Sequence, residues 1–245
     1  MTQNQKKIDI LSLFPSYFQG PFDVSIIKRA VENKILEVNQ IDIRDFSKDK
    51  HSKVDDRPFG GGPGMVLTPQ PLFDALKSVK NEKSRIIYLS PQGKKLNSTI
   101  CKRLSMEDHL ILICGHYEGI DQRVIDKEVD EEISIGDYVL TNGCAAAIVL
   151  VDAISRFIPN VLQNPESSKN DSFEENIFEG PQYTRPNEYD GMVVPEVLVN
   201  GNHKDILDFK KNEALKKLKE VRPDLYFKYF LEEQQNKTKQ VKKVK

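Results

Sequence analysis

Along the first two-thirds of the chain, apolar positions recur in two alternating rhythms. "IDILSLFP" reads as a strand stopped at Pro15, and "FDVSIIKRAVENK" then sets Val24, Ile27, Ala30 and Val31 at helical spacing. "LEVNQIDIRDF" alternates as a second strand. "TPQPLFDALKSV" opens with Thr68 as N-cap and Pro69 at the first helical position, which predicts a helix. The pattern continues as strand ("RIIYL"), helix ("NSTICKRL"), strand ("LILIC") and helix ("DQRVIDKEV", with Asp121 as cap). "ISIGDYVLTNGCAAAIVLVDAISR" follows: a short strand, two glycine breaks, and an apolar helix from about Ala145 to Ile158. Strands that alternate with helices, the later ones apolar throughout, predict a parallel sheet covered on both faces.

The rhythm stops at Pro159. "NVLQNPESSKNDSFEENIFEGPQYTRP" is polar, turn-rich and long for a connection, and connections of that length are usually functional or linkers. Beyond it, "DILDFKKNEALKKLKEV" and "PDLYFKYFLEEQ" predict amphipathic helices, and "NKTKQVKKVK" predicts a disordered tail. The expected organisation is therefore residues 1–160 as an α/β domain, 161–176 as a linker and 177–245 as a small helical domain.

Composition changes this picture in one respect. The 245 residues are 38% hydrophobic and 30% charged with a formal net charge of −1, so a core is affordable and no global field announces a polyanion partner. The charge is segregated, however. Val161–Asn200 holds two basic and eight acidic residues, a net of −6, whereas Lys204–Lys245 holds thirteen basic and seven acidic, a net of +6. That basic end fits either a local nucleic-acid contact or a solvated lysine-rich helix. Cys101, Cys114 and Cys144 lack CxxC spacing, and the four histidines form no ligand pattern, which argues for a reducing compartment and against a structural metal. Neither a signal-peptide stretch nor a membrane-spanning window is present in the pattern, so a soluble cytoplasmic protein is expected.

Three strand ends run into glycine-bearing loops: "RIIYL" into "SPQG", "LILIC" into "GHYEG", and "ISI" into "GDYVLTNG". Parallel sheets bind ligands outside the carboxyl ends of their strands, and glycine lets a backbone come close. Ordinary turn punctuation gives the same pattern. No GxGxxG joins the first strand and helix, and "FGGGPGM" lacks the GK[ST] of a phosphate loop, leaving it as a flexible loop.

"VDDRPFGGGPGM", "YLSPQG", "CGHYEGIDQRV", "DEEISIGDYVL", "SRFIP" and "NDSF", in this order and spacing, closely resemble the bacterial tRNA (guanine-N1)-methyltransferases of the SPOUT superfamily. The resemblance runs from "LSLFP" through "GPQYTRP" and "LVNGNH". It implies a trefoil-knotted α/β domain, a homodimer with its active site shared between subunits, tRNA as substrate and S-adenosyl-L-methionine as methyl donor. By similarity, Tyr88, Leu89, Ser90, Pro91, Gly93, Gly115, Ile135, Gly136, Asp137, Tyr138, Val139 and Leu140 hold that cofactor. Asp171 matches the general base that takes the N1 proton, Arg156 the arginine facing guanine O6, and Glu118 a reader of the neighbouring guanosine. An ordinary aspartate, with a pKa of about 3.9, is a weak base, so burial on substrate binding must raise it. Mg²⁺ enters by resemblance only, without a recognisable ligand set. At Asn142–Ala146 the chain departs from the glycine-glycine-glutamate-leucine-proline usual in the family. Two other readings compete: a knotted ribose 2′-O-methyltransferase, and a cofactor-free RNA-binding module.

Overall fold

The computed structural model describes residues 5–162, 172–173 and 176–243, with positions 236–243 described by their backbone alone. β1 (Lys6–Ser12), α1 (Ser25–Glu32) and β2 (Leu36–Asp42) come first, then a hairpin of two-residue strands, β3 (Asp55–Asp56) and β4 (Val66–Leu67). α2 (Pro69–Val79), β5 (Ser84–Lys95), α3 (Ser98–Ser105), β6 (His109–Cys114), α4 (Gln122–Glu128), β7 (Glu131–Ser134) and α5 (Cys144–Ser155) follow in strict alternation. The main sheet is parallel throughout, in the order β2-β1-β6-β5-β7.

Alternation along the strands splits the core into two layers. Ile8, Ile10, Ile87, Leu89, Leu110 and Leu112 face one side with buried residues of α1, α3 and α5. Leu11, Ile86, Tyr88, Ile111 and Ile113 face the other with α2 and α4. This is the doubly covered sheet expected from apolar strand runs.

The chain divides into two compact units at Gln163/Asn164. The second contains the hairpin β8 (Glu188–Tyr189) and β9 (Met192–Val193), then α6 (His203–Val221) and α7 (Pro223–Lys243). Ala214, Leu218 and Tyr229 are its buried side chains among the described residues.

Several local expectations give way to specific hydrogen bonds. The second strand stops at Asp42 because its carboxylate accepts the Arg44 N–H at 2.8 Å, turning Ile43–Phe46 into a 3₁₀ helix. Thr68 precedes α2 as expected, but its hydroxyl donates to Val54 O at 3.0 Å rather than capping the helix. α5 ends at Ser155, short of Ile158. The tail expected to be disordered is instead the continuation of α7 as far as Lys243, in keeping with the good helix propensity of Lys and Gln.

Candidate active site

The carboxyl ends of β5, β6 and β7 open into a cleft of about 230 Å³. Each wall has its own local cause. β5 leaves the ladder after Leu89 and rejoins it at Lys94, both positions registering on Ile133 of β7. The intervening Ser90–Gly93 bulges outward, with the Gln92 N–H donating to Ser90 Oγ at 3.2 Å. Gly93 presses on the neighbouring strand so closely that a Cβ would stand 2.4 Å from Glu132 C and Ile133 N.

The second wall follows β6. A Cβ on Gly115 would lie 2.8 Å from Tyr88 Oη, so the absent side chain is what seats the tyrosine ring. Tyr88 is buried, and burial, reinforced by the Glu132 carboxylate, pushes its phenol above the usual value, keeping it neutral. His116 accepts the Tyr117 N–H at Nδ1 (2.9 Å) and lies 5.2 Å from the Phe14 ring. Burial, with the nearby Arg44 charge, lowers its pKa, which leaves the imidazole neutral at pH 7.

The third wall is the loop after β7. Ser134 Oγ donates to Gly136 O at 2.9 Å and accepts the Gly136 N–H at 3.2 Å, so one hydroxyl fixes both backbone groups of the glycine. The loop then returns to β6: Gly143 N–H donates to Gly115 O at 2.9 Å, and Asn142 Oδ1 accepts the Cys144 N–H at 2.8 Å to start α5.

Tyr88, Leu89, Ser90, Pro91, Gly115, Ile135, Gly136, Tyr138, Val139 and Leu140 line this cleft, and Glu118 joins them. Gly93 and Asp137 do not. Gly93 packs against β7, and the Asp137 side chain turns outward to pair with Lys95 at 2.9 Å. Arg156 is exposed at the carboxyl end of α5, whose amino end meets the cleft at Gly143 and Ala146. At 1.5 Å per residue, about 18 Å of helix separates Cys144 from Arg156. Asp171 lies outside the described residues. Among the described residues, no group of three or more His, Cys, Asp or Glu is placed to hold a metal ion.

Sequence reasoning missed His116, Ser134 and Asn142, which also line the cleft. Ser134 and Asn142 left a readable signal, since each is a short polar side chain two residues before a backbone N–H that it accepts.

Residues 6–228 match the sequence profile of the family described as tRNA (Guanine-1)-methyltransferase TrmD. The chain belongs to this family. A relative from Protochlamydia amoebophila (strain UWE25), named tRNA (guanine-N(1)-)-methyltransferase, is 60% identical over 218 residues, covering 89% of this chain and 98% of its own. Relatives of the same name come from Clostridioides difficile (strain 630), at 50% identity over 90% of this chain and 97% of theirs, and from Chlamydia pneumoniae, at 55% over 91%. The match covers 62% of the Chlamydia pneumoniae protein, so the chain spans under two-thirds of that relative. The five-stranded parallel sheet with helices on both faces agrees with the α/β class that the family resemblance implies. Among the described residues, no helix is long and apolar enough to cross a membrane.

Proposed function

We propose that the cleft is the methyl-transfer site of a tRNA (guanine-N1)-methyltransferase acting on the guanosine immediately 3′ of the anticodon. The observation that carries this reading is a glycine-floored cleft at three adjacent strand ends, in a chain of this family, built from the segments that resemble its cofactor loops. The walls suit S-adenosyl-L-methionine. Gly115 and Gly136 permit close backbone contact, Leu89, Val139 and Leu140 offer apolar surface, and Glu118 is the one formally charged side chain among the lining residues. When bound, the cofactor supplies an electrophilic sulfonium methyl. Asp171 takes the proton from guanine N1, and Arg156 faces O6, where negative charge gathers as that proton leaves. Glu118 sits beside the neighbouring guanosine.

The position of Arg156, a helix length from the cleft of its own chain, supports a site completed by a second subunit. The reading thus comprises a cytoplasmic homodimer with a SPOUT-type trefoil knot, residues 161–176 as the linker that carries Asp171 across, and residues 177–245, with their two C-terminal helices, gripping tRNA. Mg²⁺ enters this reading by the family resemblance alone.

Nucleoside analysis of tRNA incubated with protein and cofactor tests the reaction. N1-methylguanosine is the expected product, and a 2′-O-methylated sugar would move the chemistry to the ribose. Asp171→Asn should keep cofactor affinity and lose about a hundred- to ten-thousand-fold in turnover. Mixing it with a cofactor-loop variant should restore activity in heterodimers, and no recovery on exchange would refute the shared site.

A further inference from the structure

The glycine-rich stretch Phe59–Met65 takes no part in the walls described above. It is the tip of the β3–β4 hairpin, and the base of that hairpin is sewn to the cleft rim. Glu118 N–H donates to Met65 O, Leu67 N–H to Gly119 O and Asp121 N–H to Leu67 O, each at 3.0 Å. At Gly64, where φ is +83°, a Cβ would fall 2.5 Å from Glu118 Cγ, so the loop lies directly against that cleft-lining side chain. Gly60, Gly61 and Gly62 also have positive φ and have nothing within 4 Å of where a Cβ would be. The tip therefore projects from the rim into open space, and it carries Phe59 fully exposed at 103%.

A phenyl ring held out by glycines, with no ring partner of its own among the described residues, needs a flat partner from elsewhere. Its surroundings say which kind. Arg57 lies two residues before it, and the Arg44 charge is near enough to His116 to help lower that imidazole's pKa; neither arginine makes a salt bridge among the described residues. Glycines, a carboxylate and unpaired arginines make a poor apolar seat for a second copy of the chain. Exposed aromatic plus free guanidinium is the pairing that holds unpaired nucleotides, by stacking on the base and contact with the phosphate.

We propose that Phe59 is a positioning residue that stacks on an unpaired nucleobase flanking the target guanine, with the glycine hairpin as its arm. The proposal rests on the methyl-transfer reading of the cleft and adds to it the residue that holds the adjoining base. Stacking losses on alanine substitution correspond to roughly five- to 150-fold in affinity per base.

The test uses an anticodon stem–loop RNA with the full chain. Phe59→Ala should raise the KM for RNA within that range, leave kcat within a few-fold and leave S-adenosylmethionine affinity unchanged. Phe59→Trp should restore the KM, and Phe59→Leu, which keeps apolar bulk without a π face, should not. The chain has no tryptophan, so Phe59→Trp also introduces a sole indole, whose fluorescence should be quenched by the stem–loop. Placing an abasic nucleotide on each side of the guanine in turn should abolish the alanine penalty at one of the two positions. A penalty that survives at both, rescue by leucine, or dissociation of a dimer by Phe59→Ala in sedimentation would overturn the proposal. If the parent protein itself leaves the guanine unmethylated, the methyl-transfer reading has failed; if the parent methylates and Phe59→Ala matches it, only the stacking role has.

Discussion

The strands of the main sheet are finished differently at their two ends. In their amino halves, charge is buried and fully partnered. The Asp9 carboxylate accepts from His109 Nε2 (2.8 Å) and Asn39 Nδ2 (2.8 Å) and pairs with Lys7 (3.0 Å), while His109 Nδ1 meets Ser84 Oγ at 2.8 Å. Lys6 is buried against the Leu104, Ser105 and Glu107 carbonyls, and Glu131 is clasped by Arg85 and Arg103. At the carboxyl ends, glycine loops, backbone groups and neutral rings form the cleft. Among the described residues, no buried side-chain nitrogen or oxygen lacks a hydrogen-bond partner. The contrast suggests a division of labour: charged networks lock the strand starts, which frees the strand ends to stay open and nearly uncharged where a cationic cofactor fits.

Substitutions at the two ends should therefore separate stability from binding. Asp9→Ala strands His109 and Lys7 beside a vacated carboxylate site that is almost wholly enclosed, and breaking a buried pair of this kind costs about 3–5 kcal/mol. Urea unfolding should show that loss, with cofactor affinity under native conditions unchanged. An affinity that falls in step with stability would show the two ends to be coupled.

Lys6 gives the next largest effect, and it depends on pH. Burial pushes its amine from 10.5 down to about 8, against the opposing pull of Glu107 and Asp108. Between those values the unfolded chain holds a proton that the folded chain has released. The penalty for burying the charged amine is thus complete below pH 8 and relieved as pH climbs toward 10.5. Unfolding free energy should rise over that interval by up to about 3 kcal/mol. In Lys6→Met this Lys6-dependent rise should vanish; an unaltered pH profile would remove Lys6 as its source.

At the carboxyl end, Gly136 holds φ +159°, a conformation that residues with a Cβ rarely adopt, and a Cβ there would come 2.3 Å from Tyr138 Cε1. Gly136→Val should accordingly lower Tm as well as lose at least about tenfold in cofactor affinity, read by titration calorimetry at a temperature where the variant is still folded. Retained affinity would detach this loop from the cofactor. The smallest effect belongs to Cys144, whose buried thiol neighbours Cys114 and Ser12 behind the cleft. Deprotonated guanine N1 is itself the nucleophile and needs no thiol attack. Cys144→Ala should hold single-turnover methylation within a few-fold, with no protein–RNA adduct on denaturing gels, and a stable adduct would contradict this.

The strand–helix alternation was readable because the buried strands are continuous apolar runs and Asn97 and Asp121 cap their helices as such residues do. What escaped reading was set by distant partners. β5 runs on through Pro91, Gly93, Lys94 and Lys95, residues that signal a turn, because β7 supplies a ladder that the local sequence cannot reveal. The β3–β4 hairpin has two residues per strand and no periodicity to find. Within the cleft, glycine motifs marked the walls well, but spacing alone could not show that Asp137 turns outward to Lys95 while Ser134, inside the strand, clamps the glycine beside it.

The detour in β5 has a consequence for how this cleft can change. Leu89 and Lys94 register on the same residue of β7, so the strand departs and returns without shifting the sheet's alignment. A residue inserted among Ser90–Gln92 would lengthen the excursion alone, leaving the pairing of Lys94 and Lys95 where it is. The wall can thus be remodelled by insertion or deletion independently of the scaffold, which makes it a natural point for this enzyme to diverge, or to be re-engineered, in what its cleft admits.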